Sequence, residues 1–201
     1  TSLEQRDWIA GVAEAIKVAL IKDADFYNTI KENAIRLKER DMDAMLKTIY
    51  RCAEMHMEHI ARGGDPFESG SSRPLDFGHW SAHKLEQMSN YSLRHGEAVA
   101  KGIALDLTYA RFKGLISVEI LDEILEVMTE IGFDLSIPVS GDKEIQELLK
   151  GIQEFREHLG GELTITLING IGKKLDVHYI DMEIIKNALN SLNNKYKINV
   201  A

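Results

Sequence analysis

Phe77-Gly78-His79-Trp80-Ser81-Ala82-His83 and, a little further on, Arg94-His95-Gly96-Glu97 decide how this chain is read. His79 and His83 are four apart, so on a helix they project from one side, one turn above the other. His95 follows His79 at 95 − 79 = 16 residues and opens another helical pattern. Imidazole is the commonest metal-binding side chain. Two histidines one turn apart and a distant third can converge on one ion.

Around this segment the pattern is helical. In 6–22 the apolar residues Trp8, Ile9, Val12, Ile16, Ala19 and Leu20 recur at the spacing of a half-buried helix. Asp23-Ala24-Asp25 offers an N-cap for a second helix running to Leu37, and a third spans about 41–61. The stretch 62–73, with Gly63, Gly64, Pro66, Gly70, Ser71 and Ser72, reads as a loop. Helices resume over 78–89, 93–112 and 117–131, the last capped by Ser117, and again over 142–158 after Pro138 and Gly141. Leu163-Thr164-Ile165-Thr166-Leu167 then alternates with period two and is rich in β-branched residues, as a strand should be. Asn169-Gly170-Ile171-Gly172 turns it back onto 174–177, and Asp181 caps a last helix to about Leu192. The expected fold class is mainly α, with one small β-hairpin near the end.

Composition narrows the function. The chain has 201 residues, 44% of them hydrophobic, and a net charge of −8. That is enough apolar material for one generous core, and the wrong sign of charge for nucleic acid. No apolar run is long enough for a membrane span. The single Cys52 excludes an internal disulfide and fits a cytoplasmic protein. The glycine pairs sit before or after a strand rather than between a strand and a helix, so they are turn glycines and not a dinucleotide fingerprint.

Most histidines are ordinary surface or hydrogen-bonded residues, and HxxxH alone is weak. Three features favour a metal here. His79 follows Gly78 just after a turn-rich loop, where a helix start can face a cleft. Gly96 beside His95 costs helix stability unless the backbone needs a close approach. Glu14 sits among small residues (Gly11, Val12, Ala13, Ala15, Ala19), which leave room for a carboxylate to turn inward, where it needs a partner. One carboxylate and two imidazoles would leave a fourth zinc position open, the usual catalytic arrangement.

Ala13-Glu14-Ala15-Ile16-Lys17, Phe77-Gly78-His79 with His83, His95-Gly96-Glu97-Ala98-Val99, and the tail from Gly161-Glu162-Leu163 to Ile171-Gly172 together resemble the C-terminal domain of the 3-dehydroquinate synthase family. The wider group is the sugar phosphate cyclases. The resemblance implies that Glu14, His79 and His95 bind Zn2+ (or Co2+ or another divalent ion), that Lys17 touches substrate, and that His83 lies near its phosphate. It implies a homodimer and an NAD-dependent reaction: oxidation of a sugar-phosphate hydroxyl, phosphate elimination, reduction and intramolecular aldol closure. The NAD-binding domain of the family is N-terminal and is absent from these residues, so residues 1–201 would be the helical half, inactive by itself.

Departures from the family pattern bear on the substrate. Asp76 stands where the family has Asn. His56 takes a helix position that holds Lys in members acting on a carboxylated substrate, and Arg73 is out of register in a longer loop. Arg156-Glu157 replaces a late lysine pair, which leaves one cation for the phosphate. A lost lysine and a displaced arginine weaken the grip on a carboxylate, so of a heptulose and a heptulosonate phosphate the uncharged-end one, such as sedoheptulose 7-phosphate, is expected to be preferred. The rival readings are an iron- or zinc-type polyol or glycerol dehydrogenase and, for a naturally complete chain, a non-catalytic helical module. Trp8, Trp80 and the methionines Met42, Met45, Met55 and Met57 are expected in the core. Glu119, Asp122, Glu123 and Glu126 should form a solvated face, and Cys52 should be buried and silent.

Overall fold

The computed structural model describes residues 2–62, 76–139, 141–158 and 160–196. Its centre is a helix that the sequence makes apolar on every side. In α6 (His95–Phe112) every residue from Ala98 to Ala110 is buried, and a helix with no polar stripe has to lie inside the fold. Around it pack α1 (Gln5–Lys22), α5 (His79–Met88), α7 (Val118–Ile131), α9 (Met182–Tyr196) and β1 (Ile165–Gly170). The outer elements are α2 (Ala24–Glu32), α3 (Ala34–Lys38), α4 (Met42–Arg62), α8 (Asp142–His158) and β2 (Lys173–Val177). β1 and β2 pair antiparallel, Ile165 opposite Val177, with an irregularity between Ile168 and Gly170. The mainly α fold with one hairpin is therefore as expected. No helix among the described residues is long and apolar enough to cross a membrane.

Glycines at two helix crossings let α6 come close to its neighbours. A Cβ on Gly96 would collide with the carbonyl of Ala10 in α1, and one on Gly102 would collide with the carbonyl of Gly78 at the start of α5. The two charged residues inside the buried stretch are both satisfied. Lys101 Nζ donates to the Asp134 carboxylate at 2.9 Å and to the carbonyls of Asp134 and Ser136 at 2.7 and 2.6 Å. Asp106 is held by α5, as described below.

Several expectations need correction. The helix expected to run on to Leu37 is two helices, because Asn33 (φ −107°, ψ 11°) leaves helical geometry and its N–H turns back to Ile30 and Lys31. Asp23 does cap the first of them, accepting from Phe26 N–H at 2.9 Å. Met45 and Met55 are buried, but Met42 and Met57 are 57% and 64% exposed. They lie on the outer part of α4, where the described residues provide no cover. Glu123 is half-buried and pairs with Lys31 at 2.8 Å, whereas Glu119, Asp122 and Glu126 are exposed, Asp122 in an ion pair with Lys195 at 2.6 Å. Cys52 is only half-buried; burial still pushes its thiol up to about 11, so it stays protonated at neutral pH.

Candidate metal centre

Three helices contribute one ligand-type side chain each. Glu14 comes from the middle of α1, His79 is the first residue of α5, and His95 is the first residue of α6. The α5 start is set from beneath. Gly78 adopts φ 79°, a left-handed conformation in which a Cβ would lie 2.7 Å from the Ile103 nitrogen. Its N–H donates to Asp106 Oδ2 at 3.0 Å, and the Trp80 indole N–H donates to Asp106 Oδ1 at 2.8 Å. The fully buried Asp106 thus fixes the residues on both sides of His79. Burial pushes its carboxyl up to about 7, against the pull of the two N–H donors.

On the opposite side, Arg6 of α1 binds Glu97 of α6 through two N–H···O contacts of 3.0 and 2.6 Å. Glu97 also accepts the Arg94 N–H at 2.9 Å, which closes the first turn of α6. The close approach anticipated at Gly96 occurs at this crossing, so α1 and α6 meet with Glu14 next to His95.

The donor atoms are arranged as a cation would need them. Glu14 Oε1 lies 3.8 Å from His79 Nε2 and 3.6 Å from His95 Nε2. Both distances are too long for hydrogen bonds. Two ligands about 2.0–2.1 Å from one tetrahedral ion lie roughly 3.3–3.4 Å apart, so these separations fall within a few tenths of an ångström of ligation. The His79 Nδ1 contacts the Phe77 carbonyl at 3.1 Å. A carbonyl can only accept, so Nδ1 carries the proton and Nε2 presents its lone pair. Burial first, and then the Lys17 ammonium, hold His79 down at about 4, which keeps it neutral.

Glu14 Oε1 is buried and has no hydrogen-bond partner among the described residues. Its other oxygen is held by Lys17 Nζ at 2.6 Å, and Lys17 itself is 4% exposed. Burial opposes ionisation of Glu14, but the Lys17 ammonium, through its charge and its hydrogen bond, outweighs it and keeps the carboxyl below its ordinary range. An ionised oxygen facing two imidazole lone pairs is costly unless a cation lies between them. The donor set fits a divalent ion such as zinc.

The other expected site residues are placed unequally. His83 is exposed beside the cluster, its ring 5.4 Å from that of His79 and 6.0 Å from that of His95. Asp76 is half-buried, and its carbonyl accepts the His79 N–H at 2.9 Å. His56 is exposed on α4 and lines a cleft of about 710 Å3 whose wall also includes Glu14. Arg156 lies elsewhere, in a cleft with Gly161, Leu163 and His178, and its Nε donates to the Gly161 carbonyl at 2.7 Å. Arg73 falls outside the described residues. Sequence reasoning missed Asp106 and Glu86, whose Oε2 is 3.1 Å from His95 Nδ1.

The family model for the 3-dehydroquinate synthase C-terminal domain matches residues 11–156. The chain belongs to that family. The 3-dehydroquinate synthase of Vibrio atlanticus (strain LGP32) is 30% identical over 190 residues, covering 94% of this chain and 51% of the relative. That of Shewanella sp. (strain MR-4) is 31% identical over 173 residues, covering 86% and 47%. The chain therefore spans about half the length of the curated relatives it matches.

Among solved structures it resembles ValA, the 2-epi-5-epi-valiolone synthase of Streptomyces hygroscopicus subsp. jinggangensis 5008, with NAD+ and Zn2+ bound. The TM-score is 0.87 at 26% identity, covering 96% of this chain and 53% of that one. A 2-deoxy-scyllo-inosose synthase complexed with carbaglucose-6-phosphate, NAD+ and Co2+ shares the fold at TM-score 0.67 and 21% identity, covering 94% and 52%.

Proposed function

We propose that this chain is the metal-binding half of a sugar phosphate cyclase, with Glu14, His79 and His95 as the ligands. The supporting observation is the convergence of Glu14 Oε1 on the two Nε2 atoms with no donor to satisfy it. A bound divalent ion would hold vicinal hydroxyls of the substrate and polarise one of them. Lys17 fixes the Glu14 carboxylate through Oε2, so that Oε1 turns toward the imidazoles. His83, at the exposed rim beside both imidazole ligands, is placed to meet the substrate phosphate, and Asp76 sits at the entry to α5.

NAD is the hydride acceptor expected in such a cyclase. The described residues form one two-stranded antiparallel sheet and no strand–glycine turn–helix unit, so the residues described do not fit this cofactor. We assign no residue to NAD and propose that an N-terminal domain outside these residues supplies its site.

For the substrate, the support for an uncharged end is His56, at the position in the cleft beside Glu14 where a lysine would hold a carboxylate. The cleft wall includes Ala15, Val18, Met45, Ile49 and Cys52, and its basic side chains are His56 and Lys22. His56 lacks the permanent charge of a lysine. In the enzyme joined to its NAD-binding domain, a panel of sugar phosphates should show sedoheptulose 7-phosphate, or another uncharged-end sugar phosphate, preferred over the carboxylated heptulosonate. Inorganic phosphate and a carbocyclic product should be released. A preference for the heptulosonate would overturn the substrate assignment, and an open-chain ketone with net NADH would indicate a dehydrogenase instead.

A further inference from the structure

The two proposed imidazole ligands are oriented in different ways. His79 is buried and fixed by the Phe77 carbonyl. The His95 side chain is 49% exposed, so packing alone does not decide which of its nitrogens faces Glu14. His83 lies nearly parallel to it, with the ring centroids 6.0 Å apart and the planes at 27°, but a stacked ring cannot tell one nitrogen from the other. Glu86 can. Its Oε2 is 3.1 Å from His95 Nδ1, while His95 Nε2 is 3.6 Å from Glu14 Oε1.

We propose that Glu86 is the positioning residue of the metal site, using its carboxylate to hold the His95 Nδ1–H so that Nε2 faces the ion. The inference rests on the ligand set proposed above. A carboxylate accepts and does not donate, so the contact places the proton on Nδ1 and leaves the Nε2 lone pair available. A carboxylate behind a ligating imidazole also raises the ligand's basicity. Glu86 suits the task because its side chain is only 17% exposed, which strengthens the contact over one in bulk water.

The arrangement follows from helix geometry. His79, His83 and Glu86 fall at i, i+4 and i+7, on one face of α5. The link to α6 passes through Asn90 and Tyr91 in left-handed conformations (φ 50° and 60°) and brings His95 back against that face. The same face of α5 thus supplies a ligand, a rim histidine and the group that orients the ligand from α6. Glu86, His83 and His95 could instead hold a second ion, since their donor atoms lie within 4.8 Å of one another. That use would need the His95 nitrogen that already faces Glu86.

The test has two readouts on the 201-residue chain. Zinc affinity is measured by competition with a chromophoric chelator. The His95 tautomer is read by long-range 1H–15N NMR on the metal-free chain at about pH 8, where an ordinary imidazole is neutral. Glu86→Ala should lower zinc affinity about 10- to 100-fold and mix the two tautomers. Glu86→Gln, which keeps an acceptor oxygen, should recover most of the affinity and the Nδ1–H form. Glu86→Met keeps length and helix propensity with only a weak thioether acceptor in place of the carboxylate, and repeats the test if the alanine variant melts. Zinc on the wild type with affinity and tautomer unchanged in Glu86→Ala or Glu86→Met would overturn the role of Glu86 alone. No zinc on the wild type would overturn the ligand set beneath it. A second zinc per chain that disappears with Glu86 would overturn the proposal by making Glu86 a ligand.

Discussion

Replacing Gly96 with alanine perturbs the crossing that brings Glu14 to His95. The new Cβ would fall on the Ala10 carbonyl, with the carbonyl carbon at 2.6 Å and the Ala10 Cα at 2.7 Å. Non-bonded carbons prefer about 3.5–4.0 Å, so α1 and α6 must part by on the order of 1 Å. The obstacle is backbone and cannot rotate away. Overpacking of this kind costs about 1–3 kcal/mol, against a gain of roughly 1 kcal/mol for alanine over glycine in a helix. A net loss near the upper end, about 2 kcal/mol, is expected.

Ala10 and Glu14 are one turn apart on the same face of α1, so the shift is passed to Glu14. Metal sites keep their distances within about 0.2 Å, and zinc affinity should fall at least tenfold. Gly11→Ala is the control on the same helix. Gly11 is exposed, a Cβ there meets nothing within 4 Å, and stability should rise by about 0.5–1 kcal/mol. Urea unfolding and chelator competition read both effects. If Gly96→Ala proves as stable as Gly11→Ala with wild-type zinc affinity, the close crossing is refuted.

Two further predictions concern single side chains. The buried Asp106 carboxyl is raised from its ordinary 3.8 to about 7, so its contribution to stability is complete at low pH and is lost as pH rises through about 7. The stability difference between wild type and Asp106→Asn should shrink over that window. The His79 shift, of opposite sign, is common to both proteins, and a pH-independent difference would contradict the assignment. If the chain works with an NAD-binding domain as proposed, His56→Lys in that enzyme should move the kcat/KM ratio about tenfold toward a carboxylated sugar phosphate, the value of one charge-assisted hydrogen bond at about 1.5 kcal/mol. An unchanged ratio would remove His56 from the substrate site.

The proposed ligand set left local traces, namely a carboxylate among small residues, an HxxxH at a helix start and a histidine beside a costly glycine, but the choice of His79 and His95 over His83 came from the family resemblance. Glu86 shared the helical face of His79 and His83, but its contact with His95 crosses from α5 to α6, and periodicity carries no tertiary distance. Asp106 left a clearer trace. It lies in Ala104-Leu105-Asp106-Leu107, within a helix apolar on all sides, where a lone acid requires buried donors. What the sequence could not supply was the identity of those donors, the Gly78 amide and the Trp80 indole. The break at Asn33 was hidden because the apolar spacing continues across it.

Metal content bears most directly on the central claim. Chains purified with zinc and freed of loosely bound ions should carry about one ion each, and His79→Ala, which removes the buried imidazole while leaving the Asp106 contacts to Gly78 and Trp80, should carry almost none. A wild-type chain without metal, or a His79→Ala chain that keeps a full equivalent, would contradict the ligand assignment.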